Sequence, residues 1–480
     1  MAGELRKKAL HGLGWTFSHQ LGVQLIKFSV SILLARLLTP DMFGIIGIIT
    51  VVMNLCTVII QGGLSYSLIR TENPDEEDYS TVFLMNMAVS LVIYAIILAG
   101  APLLAAYFHQ PALIGPIRVY GISLVVSALS MVQQTRLTKT MAFKTLMVVA
   151  LPSLLIGGFV GIICAWYGLG VWSLVWMNLT QTAINTVLLW VRSDWRPSVI
   201  FSKAKFLHHL VFGYRLTLSA LLFTGYKNLV SVLIGRYFSA AQLGFYTRAQ
   251  TMKQLPVDSL SEALNKVTFP LFASIQNDDV LLRSAYQKLM KQVLFWVCPV
   301  MVFSGVLGEP LFRFLLTEKW LPAVPYFQIL CITGIMYPIH AYNLNILNVK
   351  GRSDLFFRLE IIKVSVGIVF IFIGLQYGIY GLLVAEVLLD FFAFLVNTHY
   401  SGRFIQYTAL QQLKDIAPTF ALGILSGAGV YLTNYTLSHQ HDLLRLLLAG
   451  GAGAIVYFGM AHLLRMDAWR DFREVIRSRA

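Results

Sequence analysis

The sequence predicts an all-α polytopic membrane protein of about fourteen transmembrane helices, set out as two six-helix lobes in parallel pseudo-repeat plus two extra C-terminal helices. Three observations carry that reading. First, 57% of the 480 residues are hydrophobic, only 12% are charged, and the mean hydropathy is +0.69. A soluble domain carries about 25% charged residues, so most of this surface must meet lipid. Second, the apolar residues run in continuous stretches of about 20, the length of a bilayer-crossing helix, and lack the alternation of a β-barrel strand. Third, the chain repeats itself. "ILLARLLTPDMFGII" (Ile32–Ile46) and "VLIGRYFSAAQLGFY" (Val232–Tyr246) stand 200 residues apart, and at that offset Leu33, Arg36 and Gly44 match Leu233, Arg236 and Gly244. Upstream, Lys27, Val30 and Ser31 match Lys227, Val230 and Ser231.

In chain order, the apolar runs of the first half lie near 13–36, 43–66, 81–108, 113–133, 145–167 and 170–191. A basic polar linker follows, Val191–Phe206. The second half holds runs near 207–235, 244–272, 287–307, 323–347, 355–375 and 378–400, and an appendage adds 415–434 and 443–464. The expected parts are therefore an N-lobe over 1–196, a C-lobe over 197–402, and a last pair of spans with a basic cytoplasmic tail over 403–480. Each lobe has an even number of spans, so both copies keep one orientation. Parallel repeats of this kind are a transporter architecture. The longest outer loop, Gly308–Pro322, alternates apolar and charged residues and is expected to lie on the membrane interface as a short amphipathic helix.

Charge sets the orientation. The net charge is +14, yet its distribution argues against nucleic acid as a partner. Arg6, Lys7, Lys8, Arg70, Arg136, Lys139, Lys203, Lys205, Lys350, Arg403 and the tail residues Arg465, Arg470, Arg473, Arg477 and Arg479 all fall on one side of the spans. Arg313 and Lys319 are the chief cations on the other. This obeys the positive-inside rule and places both termini in the cytoplasm of a multi-pass protein of the cytoplasmic (inner) membrane. The acidic "RTENPDEED" (Arg70–Asp78) counts for little in that rule. Trp166 and Trp172 flank one outer turn, and Trp190 and Trp195 an inner end, as an aromatic belt would have it. "RKK" at Arg6–Lys8 precedes a long run broken by His19, Gln20, Gln24 and Lys27, which is not the pattern of a cleavable signal. Cys56, Cys164, Cys298 and Cys331 lie inside apolar runs without metal spacing and read as small buried hydrophobes.

Span 1 has a polar face. Thr16, Gln20, Gln24, Lys27 and Ser31 step along one side of a helix, and span 7 repeats the pattern with Thr217, Thr224, Lys227 and Ser231, Arg215 standing nearby. Span 8 adds Arg248, Thr251, Asp258, Glu262 and Lys266. A cation deep in a helix costs about 2.5–3.5 kcal/mol on insertion scales, so such residues face a partner, a cavity or water. One reading is a water-filled cationic cavity between the halves that takes an anion, with phosphate plus sugar the natural ligand. The other is snorkelling to the interface or internal ion pairs with Asp258 and Glu262. Arg36 and Arg236, at outer span ends, read as snorkelling or capping residues. Glu386 and Asp390 are four apart in span 12. They can hold H⁺ or Na⁺ for coupling, or pair with Lys363. His340 reads as a hydrogen-bonded interior residue, and the pairs Gly157/Gly161 and Gly423/Gly427 as close-packing positions. Enzyme motifs are missing. There is no Asp-x-Asp, no glycine-rich phosphate loop with lysine, and no His-Glu-x-x-His. The sequence therefore reads as no enzyme, with no cofactor beyond H⁺ or Na⁺.

Four stretches carry a resemblance: "SILLARLLTPDMFGIIGIITVVMNL", "LIGRYFSAAQLGFYTRAQ", "FPLFASIQNDDVLLRSAYQKLM" and "EKWLPAVPYFQILCITGIMYPI". They resemble Wzx-like polysaccharide and lipid-linked oligosaccharide flippases of the multidrug/oligosaccharidyl-lipid/polysaccharide (MOP) superfamily, in the colanic-acid and teichuronic-acid exporter branch. The resemblance implies two six-helix lobes in a V. It also implies transfer of undecaprenyl-pyrophosphate-linked oligosaccharide from the inner to the outer leaflet by alternating access. The lipid bilayer and other polysaccharide-assembly enzymes are the further partners it suggests. Family members carry cavity cations on spans 1, 2, 7 and 8, and Lys27, Arg215, Lys227, Arg248, Lys253 and Lys266 fit that description by position. Gln20, Gln24, Ser31, Thr224 and Ser231 would form the polar cavity face. Span 2 departs from the pattern, because 43–66 holds no cation. Two other classes compete. A small-molecule drug antiporter of the same superfamily should prefer acidic residues where spans 1 and 7 are basic. A membrane polymerase or glycosyltransferase should show a large outer loop or a sugar-nucleotide motif.

Overall fold

The computed structural model describes residues 22–477, with the backbone alone at 258–267 and 475–477. Among the described residues the regular structure is helical throughout. The helices are α1 (22–37), α2 (Pro40–Gln61), α3 (Leu64–Arg70), α4 (Glu76–Tyr107), α5 (Ile114–Lys139), α6 (Phe143–Trp166), α7 (Val171–Arg192), α8 (Lys203–Tyr237) and α9 (Ala240–Ser274). They continue as α10 (Asp279–Val306), α11 (Gly308–Leu316), α12 (Val324–Val349), α13 (Ser353–Gln376), α14 (Gly378–Ile405), α15 (Ala409–Thr436), α16 (Asp442–Leu463) and α17 (Asp467–Arg477). Eleven helices among the described residues are long and apolar enough to cross a membrane. Helices α1, α9 and α13 stand at three further expected span positions outside that set. The chain divides at Thr247/Arg248 into two compact units.

Local chemistry sets the helix ends. Pro40 occupies the first turn of α2, where its missing N–H costs nothing, and Gly62 at φ 53° closes the helix in the left-handed region. A capping box opens α4: Asp75 Oδ1 accepts from the Asp78 amide at 2.8 Å, and Asp78 Oδ2 accepts from the Asp75 amide at 3.0 Å. Ser239 and Gln242 do the same for α9, at 3.2 Å in each direction.

In the first unit α6 lies along α7, α4 and α7 flank α5, and α2 runs beside α8. Gly157 and Gly161 make the α6–α7 approach possible. A Cβ on Gly157 would stand 2.9 Å from the Met177 carbonyl oxygen, and one on Gly161 2.8 Å from Met177 Cβ. Small residues at such crossings let helices in lipid gain dispersion contacts that the bilayer cannot match. In the second unit α10 packs on α12 and α15, α14 on α12 and α13, and α15 on α16. Gly423 and Gly427 serve the α10–α15 crossing. A Cβ on either would meet Cys298 Sγ or Val302 Cγ1 at 2.6 Å. Cys298 and Cys331 are buried and Cys56 and Cys164 half-buried, all four unbridged.

Two expectations need correction. Trp195 is not a belt residue: it is 4% exposed, in a core with Leu64, Leu68, Tyr79, Phe83 and Val132. Its indole N–H reaches both carboxylate oxygens of Glu76 at 3.0 Å, so protein and not headgroup satisfies it. The loop Gly308–Pro322 forms α11 and a short 3-10 turn, as its alternation suggests, but its apolar face does not lie in lipid. Phe312, Leu316 and Trp320 are fully buried. α11 packs on α12 and α16, and Arg313 pins it by bonding Glu309 at 2.6 Å and Asp442 at 3.3 Å.

Candidate functional site

The repeated stretch explains its own glycines. A Cβ on Gly44 would lie 1.8 Å from the Ala240 carbonyl oxygen, and a Cβ on Gly244 would lie 2.0 Å from the Pro40 carbonyl oxygen. Residues 40 and 240, like 44 and 244, correspond under the 200-residue offset. The contact is therefore reciprocal, each copy seating its glycine on the other's helix start, as two related elements meet across a pseudo-twofold axis. The repeated arginine is also used: Arg236 donates to the Tyr107 carbonyl at 2.5 Å, at the end of α4, and lies 4.8 Å from the Tyr107 ring. Capping the C-terminus of a helix is a favourable place for a cation.

The expected cavity cations of the first unit are spread along two helices. Lys27 is exposed on α1 and lines a recess of about 120 Å³ with Ser31, Phe43, Gly158 and Gln181. Gln24 is half-buried on the same helix. On α8, Arg215 and Lys227 are exposed, while Thr224 and Ser231 are half-buried. Arg215 Nε donates to the Tyr214 hydroxyl at 3.0 Å. Gln20 and the side chains of Asp258, Glu262 and Lys266 lie outside the described residues.

The second unit gathers its polar residues. Lys253 on α9 donates to Thr333 Oγ1 on α12 at 3.0 Å. Gln250, a turn earlier, donates to Glu386 Oε2 on α14 at 3.5 Å. His340 on α12 stands 3.8 Å from Asp390 Oδ1 and 3.4 Å from the Asn397 amide. Asp390 feels the charges of Lys253, Glu386 and Lys363, the last held by Glu360 one turn away. Helices α9, α12, α13 and α14 thus bring three carboxylates, two lysines and one imidazole together inside bilayer-length segments. Charged side chains at bilayer depth must face a partner, a cavity or water, and here they face one another. Arg248 departs from the expectation of a water-facing cation. It is 5% exposed, and its guanidinium lies 5.4 Å from the ring centre of buried Trp320. The ring face supplies part of what water would.

Sequence reasoning missed a second network, in the first unit. Asp78, 1% exposed, bonds Lys205 at 2.8 Å and buried His209 at 3.0 Å, and His209 bonds Ser67 at 2.7 Å. The amides of Ser198 and Ser202 donate to Ser80 and Thr81, each at 3.1 Å. The acidic stretch Arg70–Asp78 is thus a clamp on the basic linker. Two signals pointed to it: the Asp75-x-x-Asp78 capping box and the opposite charges of the two segments.

Residues 33–325, more than half of the chain, match the family described as "Polysaccharide biosynthesis protein". The teichuronic acid biosynthesis protein TuaB of Bacillus subtilis (strain 168) is 24% identical over 466 residues, covering 94% of this chain and 95% of that one. The lipopolysaccharide biosynthesis protein WzxC of Escherichia coli (strain K12) is 24% identical over 377 residues, covering 78% and 76%. Among solved structures, the lipid II flippase MurJ in an inward closed conformation superposes with a TM-score of 0.77 at 14% identity, over 94% of this chain and 99% of that chain. That likeness is one of fold.

Proposed function

The chain belongs to the polysaccharide biosynthesis protein family, multi-pass Wzx-like transporters of the MOP superfamily and not enzymes, and from that premise we propose that it flips undecaprenyl-pyrophosphate-linked oligosaccharide repeat units from the inner to the outer leaflet of the cytoplasmic membrane by alternating access. The observation that carries the reading is the reciprocal contact of Gly44 with Ala240 and of Gly244 with Pro40. Alternating access between parallel repeats is a rocking of one against the other, and a close glycine contact between corresponding helix starts is a place about which they can rock. Fourteen spans, lobes over 1–196 and 197–402, and cytoplasmic termini complete the reading, and the one-sided distribution of Lys and Arg supports them.

The pyrophosphate is the part of the cargo that needs cations. Lys27, Arg215 and Lys227 would hold it by charge-assisted hydrogen bonds, and the polar Gln24, Ser31, Thr224 and Ser231 would meet sugar hydroxyls. An inside-negative potential favours outward movement of an anion by about 2.3 kcal/mol per charge per 100 mV. Coupling to H⁺ or Na⁺ would run through Asp390 and Glu386, whose surroundings of lysine and histidine make their charge state responsive to neighbours.

The test is the lipid-linked sugar pool of cells lacking the gene, read by mass spectrometry and leaflet labelling. Complete repeat units trapped on the inner leaflet are the expected result. Truncated glycans would point to an enzymatic role, and an unchanged pool to small-molecule export.

A further inference from the structure

The junction of α16 and α17 forms an open cationic recess of about 590 Å³ that neither the cargo reading nor the α9–α12–α14 cluster uses. It is lined by His462, Arg465, Trp469, Arg470, Arg473 and Glu474. Asp467 bonds Arg470 at 3.2 Å. Among the described residues, Arg473 meets the Nδ1 of His462 at 2.9 Å, and neither Arg473 nor Arg465 has a carboxylate partner. Neither guanidinium is therefore paired with an anion among the described residues. The indole N–H of Trp469, which also lines the recess, has no acceptor among the described residues.

The apolar face of α17 is already occupied. The Trp469 ring lies 5.2 Å from Phe458, the Phe472 ring lies 4.9 Å from Trp296, and Lys288 of α10 bonds Asp471 at 2.9 Å. The helix is therefore docked on α10 and α16 and is not free to sink into lipid. Docking fixes its arginines around the recess. Beside them, at the end of a bilayer-length helix, Leu463 and Leu464 are 80% and 63% exposed. Free phosphate has no use for that apolar edge. An amphiphile has, since its acyl chains cover the leucines while its phosphate meets the arginines.

We propose that the α16–α17 junction is a binding site for the headgroup of an anionic phospholipid in the leaflet where α16 ends, with Arg465 and Arg473 as the phosphate ligands. Bidentate guanidinium–phosphate pairing suits this chemistry. The site does not depend on which glycan, if any, the protein carries.

Native mass spectrometry of the full chain, loaded in detergent with phosphatidylglycerol or phosphatidylcholine, tests this. The wild-type protein should retain phosphatidylglycerol preferentially, and Arg465→Gln with Arg473→Gln should lower retention by about tenfold. Equal retention of the two lipids, or unchanged retention by the double variant, would overturn the site. Displacement by millimolar glycerol phosphate would overturn the lipid and leave a soluble phosphate in its place. Should the double variant fail to fold, Glu474→Gln decides. Removing that lining carboxylate should raise phosphatidylglycerol retention by about two- to threefold, and unchanged or weaker retention counts against the proposal.

Discussion

Helices α2 and α9 begin as copies and end as different things. Their first turns make the same reciprocal contact through Gly44 and Gly244. They are capped by different means, Pro40 in one and the Ser239–Gln242 box in the other. Beyond the first turn the chemistry parts. The α2 residues at the positions of Arg248 and Lys253 are Ile48 and Met53, 2% and 4% exposed. One copy buries apolar side chains where the other carries cations, and α9 alone carries prolines in its interior, Pro256 and Pro270. A duplicated backbone is held fixed where the two copies touch. It is free to diverge where each side chain answers only to its own surroundings.

The sharpest way to break this comparison is to make α2 resemble α9. Met53→Lys would leave a buried charge without the Thr333 and Asp390 that serve Lys253. The expected cost is about 3–5 kcal/mol, seen as loss of folded protein on size-exclusion chromatography. A folded Met53→Lys protein would mean that water reaches α2. Next come Gly44→Leu and Gly244→Leu. Each drives a side chain into a carbonyl and should cost about 3 kcal/mol or more, with thermal melts lowered alike. Clearly unequal melts would show that the contact is not reciprocal in energy.

The converse substitution sharpens the comparison from the other side. Lys253→Met makes α9 resemble α2 and should leave the melt nearly unchanged, while export falls by roughly tenfold to a hundredfold, as it should for Asp390→Asn. Full export by both variants would remove the cluster from the mechanism. Arg248→Lys keeps the charge and loses the planar stack on Trp320, which predicts about 1–2 kcal/mol and a melt lower by a few degrees. The smallest stability effect belongs to Lys27→Ala with Lys227→Ala. Both side chains are exposed, so the melt should stay within about 0.5 kcal/mol of wild type, and the double change is read in export rate.

Much of this was legible in the sequence. Helices long and apolar enough to span stand at eleven of the fourteen expected positions among the described residues, because apolar run length and the bilayer's demand for satisfied backbone leave few alternatives. The glycine pairs of α6 and α15 read correctly because a small residue four positions from another has one common use in lipid. What hydropathy cannot distinguish is whether an apolar side chain meets lipid or protein. Trp195 and the α11 face were misplaced for that reason. Both are apolar and near an interface, and only tertiary contact reveals Glu76 behind one and α12 and α16 behind the other. The polar cluster was half visible. Glu386 and Asp390 stood out by spacing, but bringing Lys253 and His340 beside them depends on how α9, α12 and α14 cross. His340 read as a hydrogen-bonded interior residue and meets the Asn397 amide at 3.4 Å, but spacing alone did not show that Asp390 stands 3.8 Å away.

The reciprocal glycine contact also bears on how the protein is made. Gly44 leaves the ribosome 200 residues before Gly244, which at about 10 residues per second is roughly 20 s. Through that interval the small-residue face of α2 has no partner of its own chain. Lipid, or an insertion factor of the membrane, must cover it until α8 and the start of α9 arrive. The first unit can therefore reach its final packing only after the second repeat has begun to insert. A nascent chain halted before Gly244 has cleared the ribosome should remain protease-sensitive in a way that one halted well beyond it does not.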